Sequence, residues 1–223
     1  MFFAPFVFFT MVMLLGALFL WLIFVWVGII SNVFQAIGLS PNVAFLALLA
    51  SFIGSYINIP IAQVESGEMP FRDVIRYSGV IYRVPMRYAG STTSIAINVG
   101  GAIVPTLISL YLLSLFPQLL LPMLAGIAIV TMVVNRFARP IPGLGIATPI
   151  FVPPIIAAIC GWLLGGAHAD AVAYVSGVLG TLIGADLLNI AKVKGLGAPV
   201  ASIGGAGTFD GIFLTGIVAV LLA

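Results

Sequence analysis

The chain has 223 residues, of which 62% are hydrophobic and only 6% are charged, and its formal net charge is +2. Soluble domains carry about a quarter charged residues, so this composition excludes an ordinary soluble protein and predicts an integral membrane protein. The small positive charge is confined to three links, which indicates orientation in a membrane rather than nucleic-acid binding. The single cysteine, Cys160, excludes a disulfide framework and a zinc-type cysteine cluster.

Apolar segments of membrane-spanning length follow one another along the whole chain. With roughly 20 apolar residues needed for a span, they lie at about residues 2–30, 43–61, 91–116, 118–134, 146–164, 171–190 and 206–223. The first segment has no basic leader and exceeds the apolar run of a signal peptide, so it is predicted to be a retained span. The sequence therefore predicts an all-α integral membrane bundle of about seven helices, formed by a single domain over residues 1–223.

Two local features modify this pattern. Pro149, Pro153 and Pro154 fall within the fifth segment and predict a kink there. Residues 63–90 form the long hydrophilic stretch and are predicted to be a polar cytoplasmic loop. The alternation between Tyr77 and Tyr88 suits either a short hairpin or an interfacial helix, and both alternatives stay open.

The basic residues divide unevenly among the links between segments. The link between segments two and three has four, the links between four and five and between six and seven have two each, and the other three have none. With seven spans, all basic links fall on one side, which the positive-inside rule assigns to the cytoplasm. The sequence thus predicts a multi-pass protein of the cell (plasma) membrane, with a cytoplasmic amino terminus and an external carboxy terminus.

Segments six and seven each contain an aspartate, Asp186 and Asp210, in an apolar run. A carboxylate at membrane depth is costly and by default indicates a functional site. Asp186 precedes Lys192 by six residues, which places it roughly 9 Å inside the cytoplasmic face. Counting back from Ala223 across a core about 30 Å thick places Asp210 roughly 10 Å inside the same face. Spans joined by a short link are usually neighbours, so the two carboxyls can meet, and whether they do is left open by the sequence.

Further polar residues and glycines are predicted to lie in the same layer as the two aspartates. Glycines admit the close approach of an extended peptide, although helix packing is the alternative for them. Asparagines offer hydrogen bonds to a substrate, or else join neighbouring helices. The predicted substrate-binding residues are Asn58, Asn98, Asn189, Gly205, Gly207 and Thr208.

Three functions are compatible with these residues. Two carboxyls that share a proton can act as acid and base on a water molecule, so Asp186 and Asp210 are the predicted catalytic residues of a peptide-bond hydrolase. A proton- or cation-coupled transporter also uses buried carboxylates and broken helices. In a structural protein, the aspartates cap helices or bond to neighbouring spans. No metal or cofactor is predicted, and the predicted partners are the lipid bilayer and a transmembrane or membrane-adjacent peptide.

Two resemblances accompany these observations. The stretches NVGGAIVPTLISLYLL and GAPVASIGGAGTFDGIFLTGI are similar to a family of archaeal and bacterial multi-pass membrane proteins of unknown function. More distantly, Asp186 on segment six and Asp210 on segment seven resemble the layout of presenilin-like and signal-peptide-peptidase-type intramembrane aspartyl proteases. GAGTFD, in which Asp210 follows Gly207 by three residues, stands where that group has a Gly-x-Gly-Asp motif. This second resemblance implies peptide-bond hydrolysis by the two aspartates near the cytoplasmic side.

Overall fold

A computed structural model of the protein describes residues 4–65, 74–77, 80–83, 92–141, 145–193, 200–205 and 211–223. Its helices are α1 (Ala4–Ala36), α2 (Pro41–Gly54), α3 (Val104–Leu115), α4 (Leu120–Phe137), α5 (Val152–Leu164), α6 (Ala169–Thr181) and α7 (Gly211–Leu222). Its strands are β1 (Asn58–Glu65), β2 (Val74–Tyr77), β3 (Val80–Arg83), β4 (Thr92–Asn98), β5 (Arg139–Ile141), β6 (Gly145–Ala147) and β7 (Val200–Ile203). Two short π-helices are π1 (Val99–Ile103) and π2 (Leu182–Asp186), and a 3₁₀ segment covers Leu187–Val193.

Helix α6 lies at the centre of a bundle that it forms with α4, α5 and α7. Its residues from Ala171 to Val178 are all buried, and small side chains let its neighbours approach closely. At Gly180 an added Cβ would lie 2.6 Å from the Cβ of Val130 on α4. At Gly184 it would lie 2.6 Å from a backbone oxygen of the same helix. Gly180 and Gly184 are therefore required by the close packing against α4.

Among the described side chains of helix α1, the buried ones lie in its carboxy-terminal part. Phe34 is fully buried and makes edge-on ring contacts with Tyr174 of α6 and Phe213 of α7, each with centroids 6.3 Å apart. By contrast, every side chain from Met11 to Phe24 is exposed, although nearly all are apolar. An apolar surface of this extent is what a helix in contact with lipid presents.

Three helical stretches are long and apolar enough to cross a membrane, which indicates a membrane protein. They are Met11–Ala36, Pro117–Phe137 and Gly166–Val193. Four shorter apolar helical stretches, of 10–17 residues, are Pro41–Gly54, Val99–Leu115, Val152–Leu164 and Gly211–Leu222. The described part of the chain thus has a predominantly helical fold, as predicted, with helices close to all seven apolar segments. Strands lie close to the ends of some of the shorter helices: β1 follows α2, and β4 precedes π1 and α3.

The strands are the main departure from the all-α prediction. Strands β1, β4 and β7 form a sheet in that order, with β1 antiparallel and β7 parallel to β4. The predicted second and third spans, about 43–61 and 91–116, therefore each contain a strand at one end. The sequence TTSIAIN of β4 is rich in β-branched residues, which favour strands, and more and less buried side chains partly alternate along it. In the exposed edge strand β1, Pro60 stands beside a bulge.

Two other predictions have clear outcomes. Strands β2 and β3 pair antiparallel, with Val74 opposite Arg83, which is the hairpin alternative for the polar stretch. The kink predicted within the fifth span was wrong, because α5 begins only at Val152, with Pro153 and Pro154 in its first turn. Prolines in a first turn remove no helical hydrogen bond and are well tolerated.

Two of the basic links leave the bundle at one end, here called the sheet end. Thr131 donates to the carbonyl of Gly180 at 3.3 Å, and Asn135 donates to the carbonyl of Gly184 at 3.1 Å. The partners in both hydrogen bonds are 49 residues apart, so helices α4 and α6 run parallel and both reach the sheet end with their last residues. The links that follow α4 and α6 therefore begin at the same end of the bundle.

Replacing Tyr174 by phenylalanine is expected to leave the protein unchanged or more stable, by about 1 kcal/mol. Tyr174 is only 1% exposed, and its hydroxyl has no hydrogen-bond partner among the described residues. A buried hydroxyl without a partner is unfavourable, so its removal relieves that cost. Thermal unfolding in detergent micelles measures the effect, with Tyr111→Phe, at a 49% exposed position, as the control. A clearly lower melting temperature for Tyr174→Phe would contradict the expectation.

Candidate functional site

Asp186 is the last residue of π2 and is held against the end of strand β7. Its Oδ2 atom accepts a hydrogen bond from the backbone N–H of Gly204, at 2.9 Å, and the side chain is half-buried. The wide turn of a π-helix is uncommon and often occurs at functional sites. The hydrogen bond fixes the orientation of the carboxylate relative to the segment that leads on to α7.

Gly204 is the position where π1, π2 and β7 meet. Its φ of +82° lies in the left-handed region that favours glycine. A Cβ at this position would lie 2.6 Å from the backbone nitrogen of Ala102 on π1. Both the backbone conformation and the available space therefore require glycine, and this allows the N–H to reach Asp186.

A second polar group joins the three strands next to this point. The Oδ1 atom of Asn58 accepts hydrogen bonds from Asn98 Nδ2, at 3.1 Å, and from Ser202 Oγ, at 2.6 Å. Asn98 is buried, donates also to the carbonyl of Ser55 at 2.7 Å, and accepts from the N–H of Gly101 at 2.7 Å. The amide of Asn98 is thus engaged within the chain, and it ties the start of β1 to the start of π1.

Asn58 differs from Asn98 in that part of its amide group remains available. Asn58 is exposed, and its Nδ2 makes no hydrogen bond to any described residue. This nitrogen can donate to a carbonyl oxygen of a bound molecule. Among the predicted substrate-binding asparagines, Asn58 has the geometry that best suits this role.

Asn189 has its hydrogen-bonding groups engaged within the chain. It is fully buried, and its Nδ2 donates to the carbonyls of Gly184 and Ala185 at 2.9 and 3.0 Å. Its Oδ1 accepts from Lys192 Nζ at 2.7 Å. Both amide hydrogens are therefore used to close the junction between π2 and the 3₁₀ segment. This geometry favours a positioning role for Asn189 over direct contact with a substrate.

The structure brings the described members of the predicted site into one connected region. Asn58 and Asn98 are joined through Ser202 to strand β7, which leads in two residues to Gly204 and Asp186. Gly205 follows with a φ of +93°, and its N–H donates to the carbonyl of Ser202 at 3.3 Å. The predicted catalytic residue Asp210 and the predicted contacts Gly207 and Thr208 lie outside the described residues.

Sequence reasoning missed two of the residues that build this region. Ser202 joins β7 to Asn58, and Asn135 of α4 donates to the carbonyl of Gly184 in π2. The partners Ser202 and Asn58 are 144 residues apart, so no local pattern announces the contact. For Asn135 a signal exists, because an amide side chain in the last turn of an apolar segment usually has a partner on a neighbouring helix.

Among the residues that the structure describes, no group of three or more His, Cys, Asp or Glu side chains converges as a metal site would require. The region instead combines one carboxylate, three amide side chains, a serine hydroxyl and two left-handed glycines, of which Gly204 is buried and Gly205 is half-buried. Such an arrangement can bind an extended peptide by hydrogen bonds and can place its backbone near a carboxylate.

The apolar helices and the polar region at the sheet end together define a helical membrane protein with a candidate site at one end of its bundle. Residues 52–222 match the sequence model of a family described as "Protein of unknown function (DUF1614)", and the chain belongs to this family. No curated protein and no solved structure matches the chain. The predicted similarity to a family of unknown function is thereby confirmed, whereas the comparisons give no support to the resemblance to intramembrane aspartyl proteases.

Proposed function

We propose that this protein is an intramembrane hydrolase of the aspartic type, in which Asp186 and Asp210 activate water to cleave a peptide bond. The observation that carries the proposal is the hydrogen bond from Gly204 to Asp186. It holds one carboxylate against the same short segment that carries the other, six residues farther along the chain. We further propose that the site lies in the cell membrane, with the sheet end facing the cytoplasm.

The packing of α6 against α7 supports the closeness of the two aspartates. A Cβ at Gly177 would contact Thr215, and one at Gly216 would contact Tyr174, so the two helices run antiparallel. By this register Gly211, the first residue of α7, is level with about Thr181. Gly205 lies next to the Gly204 that bonds to Asp186, and Gly211 lies roughly 7 Å from Asp186 when measured along the helix axis.

The proposed reaction needs one ionised and one protonated carboxyl. The ionised carboxylate accepts a proton from water as the water oxygen bonds to the carbonyl carbon of the substrate, and the protonated carboxyl donates its proton to the carbonyl oxygen. When the carbon–nitrogen bond breaks, the carboxyl that took the water proton donates it to the leaving amine, and the other carboxylate accepts a hydroxyl proton as the acid product forms. The exposed amide nitrogen of Asn58 and the backbone near Gly205 would hold an extended peptide, and either aspartate can take either role.

A photoreactive peptide with a secondary hydroxyl in place of the scissile carbonyl tests the proposal, because such a group mimics the tetrahedral intermediate. We expect the purified protein in micelles to be labelled by this probe, and excess unlabelled probe to compete. Asp186→Asn and Asp210→Asn should each reduce labelling at least roughly ten-fold. The amide introduced by Asp186→Asn keeps an oxygen that can accept from Gly204, so a loss of labelling would reflect the missing carboxylate rather than lost structure.

Asp170 provides the matched control for these variants. It lies at the opposite end of α6, where its Oδ1 accepts from the N–H of Ala171 at 2.8 Å. Asp170→Asn should therefore leave labelling unchanged. Equal labelling of the parent, Asp186→Asn and Asp210→Asn would overturn the proposal that the two aspartates form a hydrolytic pair.

A second candidate, a proton- or cation-coupled transporter, is favoured by one specific observation. The helix that carries Asp186 changes from α to π geometry just before the carboxylate, and interrupted helices of this kind hold coupling ions in transporters. Proteoliposomes that contain a pH-sensitive dye distinguish the two candidates. Proton flux that depends on Asp186, without labelling by the hydroxyl probe, would favour transport over hydrolysis.

A further inference from the structure

Three basic residues gather at the sheet end, outside the region of Asp186. Arg136 lies in the last turn of α4, Arg139 begins β5, and Lys192 lies on the 3₁₀ segment, and all three are exposed. They come from two links of the chain that the bundle brings to the same end. We call these three residues the basic patch.

The packing of α4 and α6 explains why the patch is compact. Hydrogen-bonded partners on α4 and on α6 or π2 are 49 residues apart in the sequence at both contacts, so Arg136 on α4 is level with Ala185 in π2. Strand β5 then packs against the 3₁₀ segment, which brings Arg139 beside it. Lys192 lies on this same segment, and its ammonium donates to Asn189 Oδ1 at 2.7 Å.

The charges of the patch are not neutralised within the described part of the chain. Lys192 donates to a neutral amide oxygen, which uses one of its three N–H donors and leaves its charge intact. Arg136 and Arg139 make no ion pair with any described residue. Even when Asp186 is included, the described side chains of α4, β5, β6, π2 and the 3₁₀ segment carry a net charge of +2.

Exposed apolar side chains adjoin the basic patch. Phe137, Leu187 and Leu188 are 45%, 43% and 56% exposed and follow or precede the basic residues in the same elements. In a membrane protein, this combination marks the level where acyl chains give way to headgroups. Arginine matches the geometry of a phosphate with two parallel hydrogen bonds, and lysine adds a point charge.

We propose that the basic patch binds the phosphate of an anionic phospholipid headgroup. The bound lipid would place its phosphate among Arg136, Arg139 and Lys192, and its acyl chains along the apolar surface of Leu187 and Leu188. This binding does not depend on hydrolysis or transport by Asp186. It would, however, fix the position of the 3₁₀ segment that follows Asp186 in the chain.

A local fluorescence measurement tests the proposal. Leu188→Trp, in a background with Trp21, Trp26 and Trp162 replaced by phenylalanine, places one reporter beside the patch. The protein is reconstituted into phosphatidylcholine vesicles that contain brominated phosphatidylglycerol or brominated phosphatidylcholine, and quenching gives the relative binding constant. With about 1 kcal/mol per basic residue near a membrane surface, we expect a preference of roughly five-fold or more for phosphatidylglycerol.

Variants with matched charge separate the patch from general attraction. The triple variant Arg136→Gln, Arg139→Gln and Lys192→Gln should reduce the preference to about one. Arg72→Gln, Arg76→Gln and Arg83→Gln together remove the same charge elsewhere and should leave the preference at Leu188→Trp intact. Arg136→Lys with Arg139→Lys should retain part of it, which would show that the site persists when positive charge is kept.

Three results would overturn the proposal. The first is the absence of a preference in the parent reporter protein, and the second is an equal loss in the patch variant and in the charge-matched control. The third is loss of the preference in about 10 mM inorganic phosphate at constant ionic strength. The last result would show that the patch takes free phosphate rather than a lipid headgroup. Melting temperatures of all variants establish that each is folded when its quenching is measured.

Discussion

Gly204→Ala is expected to lower the free energy of unfolding by about 3 kcal/mol. Part of this effect comes from the backbone, because a φ of +82° is strained for any residue with a Cβ. The larger part comes from the contact between that Cβ and Ala102, whose backbone nitrogen would lie only 2.6 Å away. Reversible unfolding in mixed micelles, followed by circular dichroism, measures the change.

Gly166→Ala separates the two contributions. Gly166 has a φ of +56°, but a Cβ added there meets no atom within 4 Å. This control should therefore show only the backbone effect, about 1 kcal/mol. Equal destabilisation by the two variants would contradict the close packing of β7 against π1.

The same substitution should also affect the candidate site. The contact with Ala102 is relieved when the backbone at Gly204 moves away from π1, and this movement displaces the N–H that donates to Asp186. Labelling by the hydroxyl probe should therefore fall in Gly204→Ala even at temperatures where the protein is folded. Gly166→Ala lies at the opposite end of the bundle and should leave labelling unchanged.

The sequence predicts the helices of this fold better than its strands, and the reason is physical. Apolar composition and segment length report transfer into a bilayer, so the regions of α4 and α6 are found directly. Strand β7 has only four residues, and its pairing with β4 joins positions more than a hundred residues apart. Tertiary context decides such short strands, and an apolar run shorter than a full span fits either structure.

The candidate site was predictable in its residues but not in their contacts. The cost of burying polar groups in lipid led to the prediction of Asp186 and the asparagines as site residues. Their separate roles follow only from the structure, because Asn98 and Asn189 use their amide groups to cap and close π1 and π2. Asn58 has the same side chain, yet its Nδ2 donates to none of the described residues, because Asn58 begins an exposed edge strand.

Carboxyls that share a proton must lie close together. Cysteines in place of Asp186 and Asp210 are therefore expected to be joined efficiently by a bifunctional thiol reagent with a spacer of about 5 Å. The substitutions are made in a Cys160→Ala background, so that no other thiol is present. Trypsin then cleaves after Lys192 or Lys194, between the two positions. Trypsin also cleaves after the arginines that precede position 186. In a cross-linked protein the two fragments that carry positions 186 and 210 therefore migrate together on a denaturing gel, whereas in an unlinked protein they migrate separately.

A cysteine pair at positions 170 and 210 is the matched control for this measurement. Asp170 and Asp186 are sixteen residues apart on one continuous helical stretch, which corresponds to roughly 24 Å along its axis. Because positions 170 and 186 are so far apart, a reagent with this spacer cannot reach residue 210 from both of them. At most one of the pairs 170–210 and 186–210 can therefore be linked. Linkage of the 186–210 pair alone supports the shared proton on which the hydrolytic proposal depends. Linkage of neither pair would separate the carboxyls and leave Asp186 to act alone, as a coupling site in a transporter requires.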